Sequence, residues 1–128
     1  MNFFPARSVR IGNWKYIRNL DSSLEFHSHV DLAPKDTAYW PSWVREAPQN
    51  PVIADLVHRY LHRPPEELYN LKTDPDEWHN LAGESAHSAE LKKLRSALDE
   101  WMHSLDDQGM PTEFAHKPVP KRKSPNTN

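Results

Sequence analysis

The stretch Pro64 to Ala82, PPEELYNLKTDPDEWHNLA, decides how this chain is read. Pro64-Pro65 stops whatever precedes it, because proline cannot donate to a helix ladder and disfavours helix in the residue before it. Glu66 to Leu71 then reads as a strand, with Leu68 on one side of the pleat and Tyr69 and Leu71 on the other. Next comes D-P-D-E. Asp74 is a candidate N-cap, Pro75 suits the first helical position and Glu77 lies three residues after the cap, so a short capped helix is expected. Gly83 would end it in a left-handed conformation. Capping accounts for Asp74 and Glu77 more simply than acid-base chemistry does.

Upstream, Ser8 to Arg18 reads as a hairpin. Two apolar-rich runs flank Gly12-Asn13, a pair that tolerates positive φ. With those two as the loop, Ile11 faces Trp14, Arg10 faces Lys15 and Val9 faces Tyr16. Val9, Ile11, Trp14 and Tyr16 then share an apolar face, the core side. Ser8, Arg10, Lys15 and Ile17 occupy the other. Arg10 opposite Lys15 is a like-charge pair that wants a carboxylate or an anion nearby.

Asn19 to Pro51 is irregular, with prolines at 34, 41, 48 and 51 and tryptophans at 40 and 43. It reads as a long connection with short ordered pieces pinned by aromatics, and such a loop is usually functional or in contact with something. Pro51 to Arg63 is helical: Ile53, Leu56, Val57, Tyr60 and Leu61 recur at three and four. Ser85 can cap a longer helix to about Leu105. Its stripe is Leu91, Leu94, Leu98, Trp101 and Leu105, widened by Met102. Asp106-Asp107 opposes the helix dipole and reads as the start of a tail, so residues 107–128 are expected to be mobile and, over Lys117 to Lys123, basic. The sum is an α+β unit: a small antiparallel sheet of three to four strands with a long C-terminal amphipathic helix packed on one face.

Composition bounds the chemistry. With 128 residues the chain fits one domain. It has 12 Pro and 3 Gly, which favours short elements and stiff joints and leaves too few glycines for a phosphate-cradling loop. It has no cysteine, so neither a thiolate nucleophile nor a thiolate zinc site can form from it. A net charge of -2 with mixed signs gives no reason to expect nucleic acid or membrane as a partner. Met1 to Arg10 lacks the order of a signal peptide. No G-x-S-x-G occurs.

Two histidine groupings stand out. His27, His29 and Asp31 alternate, so on a strand they would point one way, as a weak start to a metal site or as a polar loop face. His58 and His62 lie one turn apart, but H-R-Y-L-H lacks the glutamate of the zinc hydrolase motif and reads as two exposed helix histidines.

Three pieces in order, ARSVRIGNWKYIRN, YLHRPPEELYNLKTDPDEWHNLA and ELKKLRSALDEWM, resemble the C-terminal subdomain of the sulfatases. They look most like the sulfamidase (N-sulfoglucosamine sulfohydrolase)-like branch, over about Asn2 to Asp106. The resemblance implies a hydrolase of sulfate esters or N-sulfates, often on sulfated sugars, and an exported parent enzyme. Its active site would lie in a large α/β domain holding a formylglycine made within C/S-x-P-x-R and a calcium ion. The chain has neither that motif nor a cysteine, so no catalytic residue carries over and the chain is expected to be inactive alone. The likeness begins almost at Met1, so the expectation is a truncated sulfatase, a fragment or a separately encoded remnant whose partner is the N-terminal sulfatase domain. Sulfated carbohydrate would be met through that parent. The alternatives are a free-standing interaction module with the same fold and a small metalloprotein using His27, His29 and Asp31. The substrate-side candidates are His27 and His29 in the connection, where a cationic imidazole could meet a sulfate, and Arg10 and Lys15 on the outer sheet face.

Overall fold

The computed structural model describes residues 3–28, 31 and 39–115. The hairpin forms as the sequence dictates. Strand β1, Ala6–Ile11, pairs antiparallel with β2, Trp14–Asn19, in the expected register of Ile11 with Trp14, Arg10 with Lys15 and Val9 with Tyr16. Gly12 sits at φ 59°, where an L side chain is strained, and this allows the two-residue turn. Strand β3, Glu66–Asn70, pairs antiparallel with the far side of β2, Tyr16 opposite Leu68, and the sheet order is β1-β2-β3.

Helix α3, Ser88–Ser104, covers one face of this sheet. Tyr16, Leu68, Leu94 and Leu98 are completely enclosed there, with Leu91 and Met102 beside them and Val9, Ile11 and Trp14 packed around. Each large apolar side chain so buried contributes about 1.5–3 kcal/mol. The buried stripe runs Leu91, Leu94, Leu98, Met102, which departs from the expected one. Trp101 is 49% and Leu105 60% exposed. The last turns use Met102 because a 3-4-4 spacing stays centred on the sheet, whereas 101 and 105 lie on its flank. Ser85 does not cap α3. A three-residue 3-10 turn, Ser85–His87, precedes it with no side-chain cap.

The core face turns polar at the α3 end of the sheet. Arg95 Nε donates to Glu66 Oε1 at 2.6 Å and its Nη2 pairs with Oε2, while Tyr16 Oη donates to the same Oε1 at 2.5 Å. Arg18 Nη1 reaches Asp99 at 2.6 Å. Arg95 and Tyr16 hold the Glu66 carboxyl below the usual carboxylate range.

Two other expectations give way. No helix follows Asp74; the segment is a chain of turns, and Glu77 sits at φ 59° where no right-handed helix can continue. Gly83 accordingly is not left-handed; the positive-φ glycines are Gly12 and Gly109. Nor does the folded body stop at residue 106. Helix α4, Met110–Ala115, is tied back to β1 by Arg7, whose Nη1 meets Glu113 at 2.7 Å and whose Nε and Nη2 pair with Asp107. A carboxylate that looked like tail is therefore an anchor, and its pKa is lowered by that guanidinium. The basic segment 117–123 lies outside the described residues.

The connection after β2 contains helix α1, Tyr39–Glu46, and leads into α2, Pro51–Leu61. Asn50 caps α2, its Oδ1 accepting from Val52 N at 3.1 Å and Ile53 N at 3.4 Å, and Pro51 opens it. A run of rings fastens this region to the sheet end: Phe4 against Phe26, Phe26 against Tyr60 and Tyr60 against Trp40, with centroids 5.4, 5.2 and 4.6 Å apart. Among the described residues no helix is long and apolar enough to cross a membrane.

Candidate functional site

The sheet face away from α3 is not open along its whole width. Over β3 it forms the floor of a cleft of about 400 Å³ whose walls come from α1, α2 and the turn segment after β3. Clefts of roughly 300–1,000 Å³ are the size that holds small ligands.

The floor is polar and built. Glu67 is 2% exposed, yet its carboxylate accepts from Tyr69 Oη at 2.6 Å and Asn19 Nδ2 at 2.8 Å and has Arg63 Nη1 at 3.6 Å. These partners offset the desolvation of a buried charge. Burial and then Glu67 push the Tyr69 phenol well up, so it stays a protonated donor at neutral pH.

The turn segment forms one wall. Asp74 accepts from the backbone of Trp78 at 3.0 Å and His79 at 2.8 Å, four and five residues on, rather than from the second and third residues of a helix. These two bonds lower its pKa. Glu77 is held in its left-handed conformation from below: Lys15 Nζ donates to both of its carboxylate oxygens, at 2.7 and 2.9 Å. This is the carboxylate that the Arg10–Lys15 pair called for. Asn80 then locks the segment onto the β3 edge, its Oδ1 accepting from Leu68 N and its Nδ2 donating to the Glu66 carbonyl, both at 2.9 Å. The outcome is a rigid presentation of Trp78, 49% exposed at the cleft.

The facing wall is the last turn of α2 together with His62, Arg63 and Pro64 just beyond it. Arg59 donates to the Trp78 carbonyl and lies over the Trp78 ring at 5.4 Å, which spans the two walls. Leu56 and Tyr60 line the same side, and Trp43 of α1 closes one end. A smaller hollow of about 250 Å³ shares Trp43 and Tyr60 with this cleft and reaches Ser28 and Asp31.

The residues singled out from sequence fall in four places. His27 Nδ1 pairs with Asp31 Oδ2 at 2.9 Å and its Nε2 with Glu25 Oε2 at 3.3 Å. Asp31 above all raises the imidazole pKa. His29 lies outside the described residues, so the alternating trio is not assembled among them. Lys15 reaches the cleft only through Glu77. Arg10 is exposed at the hairpin turn, its Nε donating to the Gly12 carbonyl at 3.0 Å, and does not line the cleft. His58 and His62 are both exposed, as the sequence reading has them, with their rings 4.7 Å apart. Among the described residues no three His, Asp or Glu come together to hold a metal ion. Without a cysteine or an S-x-P-x-R the chain also offers no position for a formylglycine. Trp43 falls in the aromatic connection already read as functional, whereas Arg59, Arg63, Glu67 and Trp78 were missed from sequence. Their only signal was two arginines four apart beside a Pro-Pro stop.

No family model matches the chain. Over 104 residues, 81% of this chain, it is 30% identical to an ulvan-active sulfatase of Formosa agariphila, and the match covers 18% of that protein. A second ulvan-active sulfatase of the same organism is 28% identical over 107 residues, 82% of this chain and 18% of that protein. The N-sulphoglucosamine sulphohydrolase of Homo sapiens is 29% identical over 114 residues, 81% of this chain and 21% of that protein. The chain thus spans about a fifth of the length of the curated relatives it matches. It is sulfatase-related, and it resembles a partial sulfatase region, a sulfamidase-like one included.

Proposed function

We propose that this chain is the C-terminal subdomain of a sulfatase-type hydrolase that acts on sulfate esters or N-sulfates of sulfated sugars. In this reading it performs no chemistry itself. It stabilises the parent fold and completes the substrate cleft. The observation that carries the reading is the 30% identity over 81% of the chain to an ulvan-active sulfatase. Two facts support the division of labour. The sequence has no C/S-x-P-x-R from which a formylglycine could arise, and the described residues gather no metal-ligand cluster. The formylglycine and calcium therefore belong, on this proposal, to the catalytic domain that is the chain's partner.

Exposed apolar residues support a docked state. Tyr39, Trp43 and Val44 on α1, Trp101 on α3 and Leu105 just beyond it are all at least 40% exposed. The chain assayed alone should release no sulfate from a sulfated sugar. The coding DNA just upstream of Met1 supplies the test. An open frame with C/S-x-P-x-R, whose joined product releases sulfate, is the expected result. Stop codons there, with no sulfatase domain encoded beside it that restores activity on mixing, would replace this reading with a free-standing binding module.

A further inference from the structure

We infer that the cleft between the α2 end and the Trp78 segment is itself a binding site for a sugar ring bearing a sulfate or a carboxylate, and that the chain binds such a sugar without the rest of a sulfatase. The inference deepens the proposed function and takes the sugar class from it; the choice of cleft and residues rests on geometry.

Three observations converge. The first is the pair of half-exposed indoles, Trp43 at 40% and Trp78 at 49%, on walls of a space of about 400 Å³. An indole face offers its electron-rich surface to the C–H face of a pyranose, and rings make large contacts at small entropy cost. The second is strain. Glu77 occupies a left-handed conformation that a non-glycine residue rarely adopts, and Lys15, Asp74 and Asn80 hold the segment in place around it. Backbone held in such a conformation by its surroundings collects at ligand sites. Here the held segment is the one that presents Trp78.

The third is the balance of charge. Both carboxylates lining the cleft already have cations: Glu77 has Lys15, and Glu67 has Arg63 together with Asn19 and Tyr69. Arg59 pairs through Nη1 with Asp55 at 3.8 Å, where Asp55 is 64% exposed, and its remaining contacts, the Trp78 carbonyl and one face of the Trp78 ring, carry no charge. An exposed pair of this kind is weak. With Lys15 and Asp55 counted the charges balance, but the Arg59–Asp55 pair is the most exposed of the three. Arg59 is thus the cation open to exchange its partner for an anion, and guanidinium is the group whose planar fork matches sulfate and carboxylate oxygens.

The test titrates the 128-residue chain with three tetrasaccharides, read by tryptophan fluorescence and by NMR shifts of the indole N–H groups. One is sulfated and contains uronate, one is its desulfated counterpart and one is neutral. The expected result is saturable binding of the sulfated probe, with shifts at Trp43 and Trp78 but not Trp101. Desulfated probe binding equally well assigns the anion contact to carboxylate; weaker binding assigns it to sulfate. Trp78→Ala and Arg59→Ala should each weaken binding about tenfold or more, while Trp101→Ala leaves it unchanged. Arg59→Lys keeps a charge without the fork and guards against misfolding; it should bind between wild type and Arg59→Ala. No saturation at millimolar probe, equal binding of the neutral tetrasaccharide, or full binding by Trp78→Ala would overturn the assignment. Such a failure leaves the upstream reading frame and the sulfate-release assay untouched, so the two readings fail separately.

Discussion

The two halves of this molecule are built on opposite principles. Between the sheet and α3, four side chains are wholly enclosed and the hydrophobic stripe of one helix is matched to one face of three strands. In α1 and α2 no residue is buried, and the region is held by ring edges, a helix cap and a few ion pairs. The first half can hold a fold; the second can shape and expose a surface. The cleft lies along the seam, with its floor on the rigid half and most of its wall on the looser one.

Substitutions can break this contrast. Leu98→Ala should destabilise the whole chain by about 2–5 kcal/mol, read by denaturant or thermal unfolding, because it opens a cavity against Tyr16 and Leu68. A loss below about 1 kcal/mol would mean the core is not shared as described. Gly12→Ala forces a Cβ into φ 59° and should cost about 1 kcal/mol through the hairpin alone. Arg95→Ala should cost about 1 kcal/mol, since the pair it breaks is partly exposed. It should also flatten the acid limb of the stability curve. Glu66 has a lowered folded pKa, so its contribution is present above the ordinary carboxylate value of about 4.3 and is lost as pH falls through the lower folded value. The smallest effect is expected from Trp43→Ala, about 0.5 kcal/mol on global unfolding. Hydrogen exchange sharpens the same point. Amides of α1 and α2 should exchange through local opening while those of β2 and α3 wait for global unfolding. Equal protection in both halves would erase the distinction.

The legibility of the sequence follows this divide. The hairpin and its register could be read because Gly12-Asn13 suits a two-residue loop and the alternation admits one core face. The α3 helix could be read from its period, but its phase could not: Trp101 and Met102 are neighbours, and only the sheet decides which one turns inward. D-P-D-E misled for a physical reason. An aspartate can cap a helix or close a turn with the same oxygens, and what separates the two is the conformation of Glu77, which Lys15 stabilises from a strand more than sixty residues earlier in the chain. The cleft was illegible for the same cause. Its lining comes from segments near residues 43, 60, 67 and 78, and none of them carries a motif alone. The histidines drew notice because they are rare and chemical, yet His27 is matched by Asp31 and Glu25 and stands outside the cleft lining.

The buried carboxylate of Glu67 has one further consequence. Neighbours on a strand point to opposite faces, so a one-residue slip of β3 against β2 would send Leu68 to the cleft side and Glu67 among Leu91, Leu94 and Leu98. There it would lose Asn19 and Arg63, with Tyr69 carried to the same apolar face beside it, at a cost of several kcal/mol. The charge thus works as a proofreading device for strand assembly, making the neighbouring misregistered sheet prohibitive before any ligand is met.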